Sequence, residues 1–347
     1  MDADDQQFHP NRWSDRQFRE TEPRHAHDGE TGDDFEAWQS AFRDDLREAL
    51  GFPVVEARGD CDLAPKRLET EQLHGYERQK WVVETEPGFH VPFYLLVPDG
   101  EEPPHPVVLA VHGHNETGKE LYVGRYRDEE ERRSIAEGER DIAVQAVERG
   151  YAAVAPDMRG FGELANPDDR REGRGHCRTM QLHAQLFGRT LVGDRAWDAT
   201  RLVDFVERRP ELDGDRVAIT GNSGGGTVSL FAGAVDERLS PVVPSSYFCT
   251  FADSIGSVHH CACNYVPGVA RLGEMWDLAG LVAPRPFRAV AGRDDEIFPV
   301  EATRRAFDEL QSIYGAAGAG ERCSLYVGDG GHRYYADGAW PFVEAHL

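Results

Sequence analysis

Strand-like apolar runs alternate with segments of helical periodicity along most of this 347-residue chain, and that alternation constrains the fold more than any other feature. The strand-like runs are 107–111, 152–155, 217–220, 241–243, 287–291 and 324–327. Helical spacing is found at 139–149, 195–207, 225–234 and 301–314. The alternation predicts an α/β fold with a doubly wound, mostly parallel sheet flanked by helices. Ligands of such sheets bind beyond the carboxyl ends of the strands, so functional residues should directly follow strands.

The first part of the chain has a different pattern. Residues 1–34 are polar and show no sustained periodicity, so we expect an arm or a disordered lead. Apolar residues then recur at three- and four-residue steps, at Phe35, Trp38, Phe42, Leu46 and Leu50. This spacing predicts one amphipathic helix that ends at Gly51. Segments 79–85 and 90–97 predict an antiparallel hairpin. We therefore divide the chain into an N-terminal extension, residues 1–75, and a main domain, residues 76–347.

A G-x-S-x-G pentapeptide, Gly221 to Gly225, follows the strand-like run 217–220 and precedes a helical segment. In a nucleophile elbow the serine occupies a strained turn between strand and helix, so its neighbours two positions away must be very small. Gly221 and Gly225 meet that requirement around Ser223. The same turn could be only a tight connection, or a phosphate-binding loop at a helix N-terminus, although no lysine accompanies the motif.

A serine hydroxyl needs a base that removes its proton and a carboxylate that orients the base. Three carboxylates, Asp294, Asp295 and Glu296, follow the strand-like run 287–291, and we choose Asp295 among them. The predicted base is His332, which follows the last strand-like run. Apart from the near-terminal His346, it is the one histidine beyond the acidic loop.

The loop after the first parallel strand, residues 112–115, reads His-Gly-His-Asn and is the predicted oxyanion loop. We expect the backbone N–H groups of Gly113, His114 and Gly224 to stabilise the negative charge that develops on the substrate. A histidine-glycine pair after a strand can equally be a structural turn. The candidate residues of the substrate pocket are His112, Asn115, Asn222, Arg159 and His260.

These motifs, in this order, resemble the α/β-hydrolase superfamily, and within it the dienelactone-hydrolase-like and acetyl-xylan-esterase-like branch. Segments 259–268 and 278–286 resemble the esterase-like members, and the similarity covers about residues 80–347. In the superfamily the acid commonly lies three residues after a glycine and four before a proline. Gly292 and Pro299 place Asp295 there. Dienelactone hydrolases use a cysteine nucleophile, whereas this chain has Ser223.

The resemblance implies a serine carboxylester hydrolase that acts on small esters, such as acetylated sugars or short-chain acyl esters, through an acyl-enzyme. A lactone or amide hydrolase with the same triad is an alternative. A non-catalytic binding protein of this fold is another, because the fold alone does not determine function. A burst of alcohol released from an activated ester would separate the catalytic from the non-catalytic function.

Asp157 and Arg159 follow the strand-like run 152–155 and have two interpretations. They form an ion pair near the mouth of the pocket, or they hold neighbouring loops of the sheet together. The second interpretation is favoured, since charged residues near strand ends are often structural.

The chain carries 62 acidic and 38 basic residues, a formal net charge of −24. Such a balance argues against a nucleic-acid partner, which requires clustered Lys and Arg. Three of the basic residues are lysines, Lys66, Lys80 and Lys119, and this depletion predicts adaptation to high salt over an ordinary acidic protein. The sequence has no apolar run of 18 residues and no signal-peptide pattern at Met1–Asp5, so we expect a soluble, cytoplasmic protein without a membrane partner.

The cluster His259, His260, Cys261 and Cys263 is the tight group of soft metal ligands in the sequence. Zinc sites usually space cysteines by two to four residues and bring a second pair of ligands from elsewhere. No second pair is apparent, so we predict no metal and no cofactor, and we expect this segment to cover the pocket. The six cysteines are expected to be reduced thiols.

Overall fold

The computed structural model of the chain describes residues 10–100, 102–173 and 175–347. Its strands are β1 (Lys66–Gln72), β2 (Tyr76–Glu86), β3 (Phe89–Pro98), β4 (His105–Val111), β5 (Ala152–Pro156), β6 (Leu212–Asn222), β7 (Leu239–Ser245), β8 (Phe287–Gly292) and β9 (Cys323–Gly328). Its α-helices are α1 (Pro10–Glu20), α2 (Asp33–Leu50), α3 (Phe52–Glu56), α4 (Glu129–Glu137), α5 (Ile142–Val147), α6 (Pro167–Glu172), α7 (Arg178–Leu186), α8 (Leu191–Glu207), α9 (Gly224–Val235), α10 (Val269–Leu272), α11 (Met275–Gly280), α12 (Val300–Ala316) and α13 (Ala336–His346). Among these helices none is long and apolar enough to cross a lipid bilayer.

The strands form one sheet in the order β1-β2-β3-β5-β4-β6-β7-β8-β9. The pairs β1/β2, β2/β3 and β3/β5 are antiparallel, and the pairs from β5/β4 to β8/β9 are parallel. This arrangement confirms the predicted hairpin followed by a doubly wound, mostly parallel sheet. Because β4, β6, β8 and β9 are parallel, the loops that follow them emerge at the same edge of the sheet.

Apolar side chains fill the space on both faces of the sheet. Helix α2 belongs to one of these layers, since Phe42 and Leu46 on its inner face are fully buried. Its Gln39 side chain donates to the carbonyls of Gly280 and Ala283, at 2.8 and 2.7 Å. The helix ends at Gly51, as predicted, where a φ of 89° gives the left-handed conformation that glycine tolerates. The helix of the N-terminal extension therefore packs directly into the core.

The structure differs from prediction in the rest of the extension. Residues 10–20 form helix α1, where we expected an arm or a disordered lead, and residues 1–9 lie outside the described part. Strand β1 was not predicted because every one of its side chains is exposed, so its sequence shows no alternation. It pairs with β2 although it lies before residue 76, and the division of the chain at 75/76 stays a prediction.

Helix α5 is shorter than the predicted segment 139–149. Glu139 adopts a φ of 49°, a left-handed conformation that an α-helix cannot contain, so the helix begins only after it. The turn at Glu139 redirects the chain and brings Arg140 towards the loops that follow β4 and β6.

Candidate active site

Ser223 lies in the sharp turn between β6 and α9, with φ 57° and ψ −116°. A non-glycine residue in such a conformation costs about 1–3 kcal/mol, and strain of this kind concentrates at functional sites. A Cβ atom at Gly221 would lie 2.1 Å from the carbonyl oxygen of Val111, and one at Gly225 would lie 1.9 Å from it. The two glycines are therefore required for the elbow to pack against the end of β4.

Asp295 follows β8 and is 4% exposed. Its Oδ1 accepts hydrogen bonds from the backbone N–H groups of Ile297 and Phe298, at 2.9 and 3.1 Å. Its Oδ2 lies 2.8 Å from Nδ1 of His332, which follows β9. The other two carboxylates of this loop are exposed. Among the three candidates, Asp295 is thus the carboxylate in contact with the predicted base.

A pocket of about 80 Å³ brings Ser223 and His332 together at the carboxyl edge of the sheet. Its lining residues are Gly113, His114, Asn115, Leu121, Tyr122, Arg140, Asn222, Ser223 and His332. Of the predicted pocket residues, Asn115 and Asn222 are therefore present. Leu121, Tyr122 and Arg140 were missed, because nothing in their local sequence indicates that two separate loops fold back over the elbow.

The predicted oxyanion loop contacts the elbow directly. A Cβ atom at Gly113 would lie 2.7 Å from the carbonyl oxygen of Asn222, and one at Gly224 would lie 2.8 Å from Nδ1 of His114. Gly224 is also the first residue of α9, where backbone N–H groups have no partner within the helix. N–H groups at a helix N-terminus stabilise negative charge, so this end of the pocket suits an oxyanion.

His112 does not line the pocket. Its ring is fully buried, with Nδ1 2.8 Å from the carbonyl oxygen of Gly113 and Nε2 accepting the N–H of Met158 at 2.9 Å. Burial lowers the pKa of His112 to about 4, although the carboxylate of Asp157 acts in the opposite direction. The neutral ring joins the oxyanion loop to the loop after β5, so the prediction of a pocket role is not met.

Arg159 does not line the pocket either, and lies in a buried group of charges that we call the Arg159 cluster. The cluster consists of Glu86, Arg159, Arg189, Asp194 and Asp198. Arg159 makes a bidentate contact with Asp198, both bonds at 2.7 Å, and donates to Glu86. Burial raises the pKa of Glu86, but hydrogen bonds from Arg189 and the charge of Arg159 outweigh burial and hold this pKa at about 2. Arg159 therefore has a structural role, as the favoured interpretation of the sequence predicted, because its contacts are with buried carboxylates of neighbouring segments.

His260 is not among the residues that line the pocket. Its ring centroid is 5.4 Å from that of Phe298, whose ring in turn stacks on His332 at 5.8 Å. Burial lowers the pKa of His260, as do the nearby His114 and His332. Nε2 of His260 is buried and has no hydrogen-bond partner among the described residues. A direct role of His260 in substrate binding stays a prediction.

The prediction that Cys261 and Cys263 lack a second pair of soft ligands is wrong. Cys261 and Cys263 do acquire a second pair of soft ligands, Cys177 and His114, from distant parts of the chain. We call these four residues the thiol-imidazole cluster. Their ligand atoms all lie within 4.8 Å of one another.

Comparison with known sequences identifies a family. The model of the Abhydrolase family matches residues 4–300. The YtaP protein of Bacillus subtilis (strain 168), provisionally named a hydrolase, is 25% identical to this chain over 288 residues. That alignment covers 78% of this chain and 89% of YtaP.

Solved structures share the fold. A protein from Bacteroides fragilis NCTC 9343, provisionally described as an acetyl xylan esterase, is 19% identical with a TM-score of 0.76, covering 96% of this chain and 84% of its own. A glucuronoyl esterase from Solibacter usitatus is 14% identical with a TM-score of 0.65, covering 89% and 92%. An acetyl xylan esterase from Paenibacillus sp. R4 is 18% identical with a TM-score of 0.60, covering 96% and 99%. The predicted α/β-hydrolase fold is confirmed, and the solved structures described as acetyl xylan esterases share it.

Proposed function

The chain belongs to the Abhydrolase family, and on that premise we propose that it hydrolyses small carboxylic esters through a serine acyl-enzyme. The observation that carries the proposal is the pocket that Ser223 and His332 share, with Asp295 bound to the far side of the imidazole. A strained serine, a base in the same pocket and a buried carboxylate behind the base are the parts that serine hydrolysis requires.

In the proposed reaction, Ser223 Oγ attacks the ester carbonyl carbon while His332 Nε2 takes up the hydroxyl proton. The imidazolium then gives that proton to the departing alcohol oxygen, and the C–O bond to the alcohol breaks. A water molecule then attacks the acyl carbon while His332 Nε2 takes up one of its protons. The bond between the acyl carbon and Ser223 Oγ breaks, the acid leaves, and the imidazolium returns the proton to Ser223 Oγ. Asp295 keeps the proton of His332 on Nδ1 and stabilises the imidazolium, and the N–H groups of Gly224 and the loop 112–115 stabilise each oxyanion.

The size of the pocket supports a short acyl group. A cavity needs about 10–15 Å³ to hold one water-sized group. The pocket, with a volume of about 80 Å³, therefore holds about five to eight non-hydrogen atoms. An acetyl group fits, whereas a chain of eight or more carbons extends into solvent. The names of the similar esterases, which concern acetyl xylan and glucuronoyl esters, favour a carbohydrate ester for this chain.

Arg140 adds a positive charge to the pocket wall. Among the described residues, no carboxylate lies within salt-bridge distance of its guanidinium. A guanidinium without an ion-pair partner can bind a polar or acidic group of the substrate, because binding does not break an existing salt bridge to the protein. We therefore expect sugar esters that carry a carboxylate or several hydroxyls near the ester to exceed simple alkyl esters in kcat/KM.

The test is a substrate panel with a stopped-flow arm. It compares p-nitrophenyl acetate, butyrate and octanoate with acetylated xylan, a methyl glucuronate ester, a lactone and an amide. We expect a burst of p-nitrophenol stoichiometric with protein and a kcat/KM that falls from acetate to octanoate. No burst and no turnover on any ester would favour the binding protein, and turnover confined to the lactone or the amide would replace the ester assignment.

A further inference from the structure

We propose that the thiol-imidazole cluster, His114, Cys177, Cys261 and Cys263, binds one Zn²⁺ ion as a four-ligand structural site beside the active-site pocket. Three thiolates and one imidazole are a recognised zinc ligand set, and four protein ligands close the tetrahedral coordination sphere. The proposal rests on these four side chains and is independent of the proposed ester hydrolysis.

The ligand atoms are already grouped around a common point. Nε2 of His114 lies 3.2 Å from Sγ of Cys263, Sγ of Cys177 lies 2.9 Å from Sγ of Cys261, and all four atoms fall within 4.8 Å of one another. Zn–S and Zn–N bonds of about 2.3 and 2.0 Å in a tetrahedron place ligand atoms about 3.5–3.8 Å apart. An ion would thus spread the closest atoms by less than about 1 Å, which side-chain rotation provides.

Three separate segments of the fold supply these four ligands. His114 follows β4, and Cys177 precedes the first residue of α7. Cys261 directly precedes the short 3₁₀ turn Ala262–Asn264, and Cys263 lies within that turn. Cys177 and Cys263 are buried, Cys261 is half-buried, and His114 lies at the exposed rim of the pocket. A structural metal site requires separate segments of the chain that bring four soft ligands together at a partly buried position.

The backbone around the cluster is shaped to admit Cys177. Gly160, with a φ of 91°, lies so close that a Cβ atom there would be 2.5 Å from Cβ of Cys177. Phe161 supports the opposite side, with its ring centroid 5.0 Å from that of His114. The positions of Cys177 and His114 thus depend on the loop after β5. Because this loop is distant in sequence from the ligands, no local sequence motif indicates the site.

The charge of the surroundings fits the occupied site. Zn²⁺ with three thiolates and a neutral imidazole carries a net charge of −1, and a buried negative charge needs a partner. Arg195 provides one: burial lowers the pKa of its guanidinium, but the neighbouring thiols of Cys263, Cys177 and Cys261 outweigh burial and raise it. Within the described ranges, no carboxylate lies within salt-bridge distance of this buried arginine, which otherwise donates to the carbonyl oxygen of Arg159.

A disulfide explains the cluster less well. The 2.9 Å between the sulfurs of Cys177 and Cys261 is well beyond an S–S bond of about 2.05 Å, and all six cysteines are free. A disulfide would also use only two of three thiols and leave His114 without a role. Zinc uses all four groups, and its binding releases the three thiol protons to solvent.

The site would position the oxyanion loop. The imidazole of His114 lies against Gly224, and a bond from the metal to this ring would hold the loop 112–115 in place beside Ser223. Because four protein ligands leave no open position, the ion would not act on substrate itself. His114 and the metal are therefore positioning groups.

Elemental analysis of the purified, dialysed protein is the first test, with Cys177→Ser and Cys261→Ser as the ligand variants. Cys323→Ser is the matched control, because Cys323 is a buried thiol outside the cluster. We expect about one zinc per chain in the native protein and the control, and at least a tenfold lower content in both ligand variants. Zinc below a tenth of an equivalent in the native protein after growth in zinc-supplemented medium would overturn the proposal. So would iron in place of zinc, or a mass 2 Da low that reports a disulfide.

A second measurement keeps the proposal testable if the serine variants do not fold. Native protein is stripped with a chelator and titrated with Co²⁺ alone. Thiolate-to-cobalt charge-transfer bands and visible d–d bands of a tetrahedral ion, saturating at one equivalent and displaced by Zn²⁺, are expected. A cobalt spectrum without thiolate bands would overturn the site, whatever the esterase assay shows.

Discussion

The Arg159 cluster and the pocket of Ser223 both contain charged residues that follow strands, yet they differ in what their polar atoms do. In the Arg159 cluster, carboxylates and guanidiniums satisfy one another in the interior, and Arg159 itself is 3% exposed. At the pocket, His332 is bound through one ring nitrogen to the buried Asp295 behind it, while the ring remains 23% exposed beside Ser223. The difference teaches that a charged residue after a strand indicates chemistry only when the fold leaves it access to a ligand.

The largest expected effect is on the pocket. Ser223→Ala removes the nucleophile and should lower kcat on p-nitrophenyl acetate by about 10⁶-fold, by analogy with other serine hydrolases. Circular dichroism and thermal unfolding should stay close to the native values, because the substitution removes one oxygen atom from a partly exposed site. Ser229→Ala, on the buried side of α9, is the matched control and should retain activity. More than a tenth of the native activity in Ser223→Ala would contradict the mechanism.

The second prediction separates two neighbouring carboxylates. Asp295→Asn should lower kcat by about 10⁴-fold, because an amide no longer holds the proton of His332 on Nδ1. Asp294→Asn should stay within about threefold of native kcat, since Asp294 is exposed and the carboxylate that binds His332 is that of Asp295. Steady-state kinetics at one pH measure both. The reverse ranking would show that the acid is misassigned.

The Arg159 cluster should respond in stability and not in catalysis. Arg159→Met leaves Asp198 buried without its cation and removes one of the two buried arginines that bind Glu86, so the free energy of unfolding should fall by about 3–5 kcal/mol. Urea denaturation measures this, and kcat of the folded fraction should change by less than about fivefold. The control Arg305→Met removes the exposed pair with Asp253, which is worth at most about 1 kcal/mol. A large loss of kcat at unchanged stability would restore the pocket role predicted for Arg159.

His112 links the two regions and should make stability fall in acid. Its pKa is about 4 in the fold against about 6.5 when unfolded, so between those values the unfolded chain binds more protons. Stability therefore decreases as pH falls through this window, by about 3 kcal/mol between pH 7 and 4. The measurement is the free energy of unfolding of native protein and His112→Asn at both pH values. Equal pH dependence in the two proteins would show that His112 is not the group responsible.

The smallest effect concerns the net charge of −24. Raising KCl from about 0.05 to 3 M shortens the Debye length to a few ångström and weakens surface repulsion, so the midpoint of thermal unfolding should rise. The buried Arg159 cluster is screened far less, so the penalty of Arg159→Met should persist in high salt. A midpoint that is flat or falls with salt would contradict the salt-adapted prediction and leave the rest unchanged.

Much of the sheet could be predicted because buried strands have a local signature. The apolar runs in β4, β6 and β8 are short, and each is followed directly by a candidate site segment. These segments are the loop 112–115, the turn at Ser223 and the acidic loop that contains Asp295. Strand β1 lacked that signature because its side chains are all exposed. The turn at Glu139, which shortened α5, depends on a backbone conformation that neighbouring residues do not specify.

The sequence by itself determined the parts of the candidate site that depend on local backbone geometry. Gly221 and Gly225 report the space that the elbow needs around Ser223. Asp295 is indicated by the resemblance of the Gly292–Pro299 spacing to that of the α/β-hydrolase superfamily. Only the tertiary structure decided which loops meet. In the folded chain, Arg159 and His112 make buried contacts away from the pocket, and Arg140 lines the pocket. Cys177 and His114 lie beside Cys261 and Cys263. The physical reason is that contacts between distant loops follow from the packing of the whole sheet, and no short stretch of sequence encodes that packing.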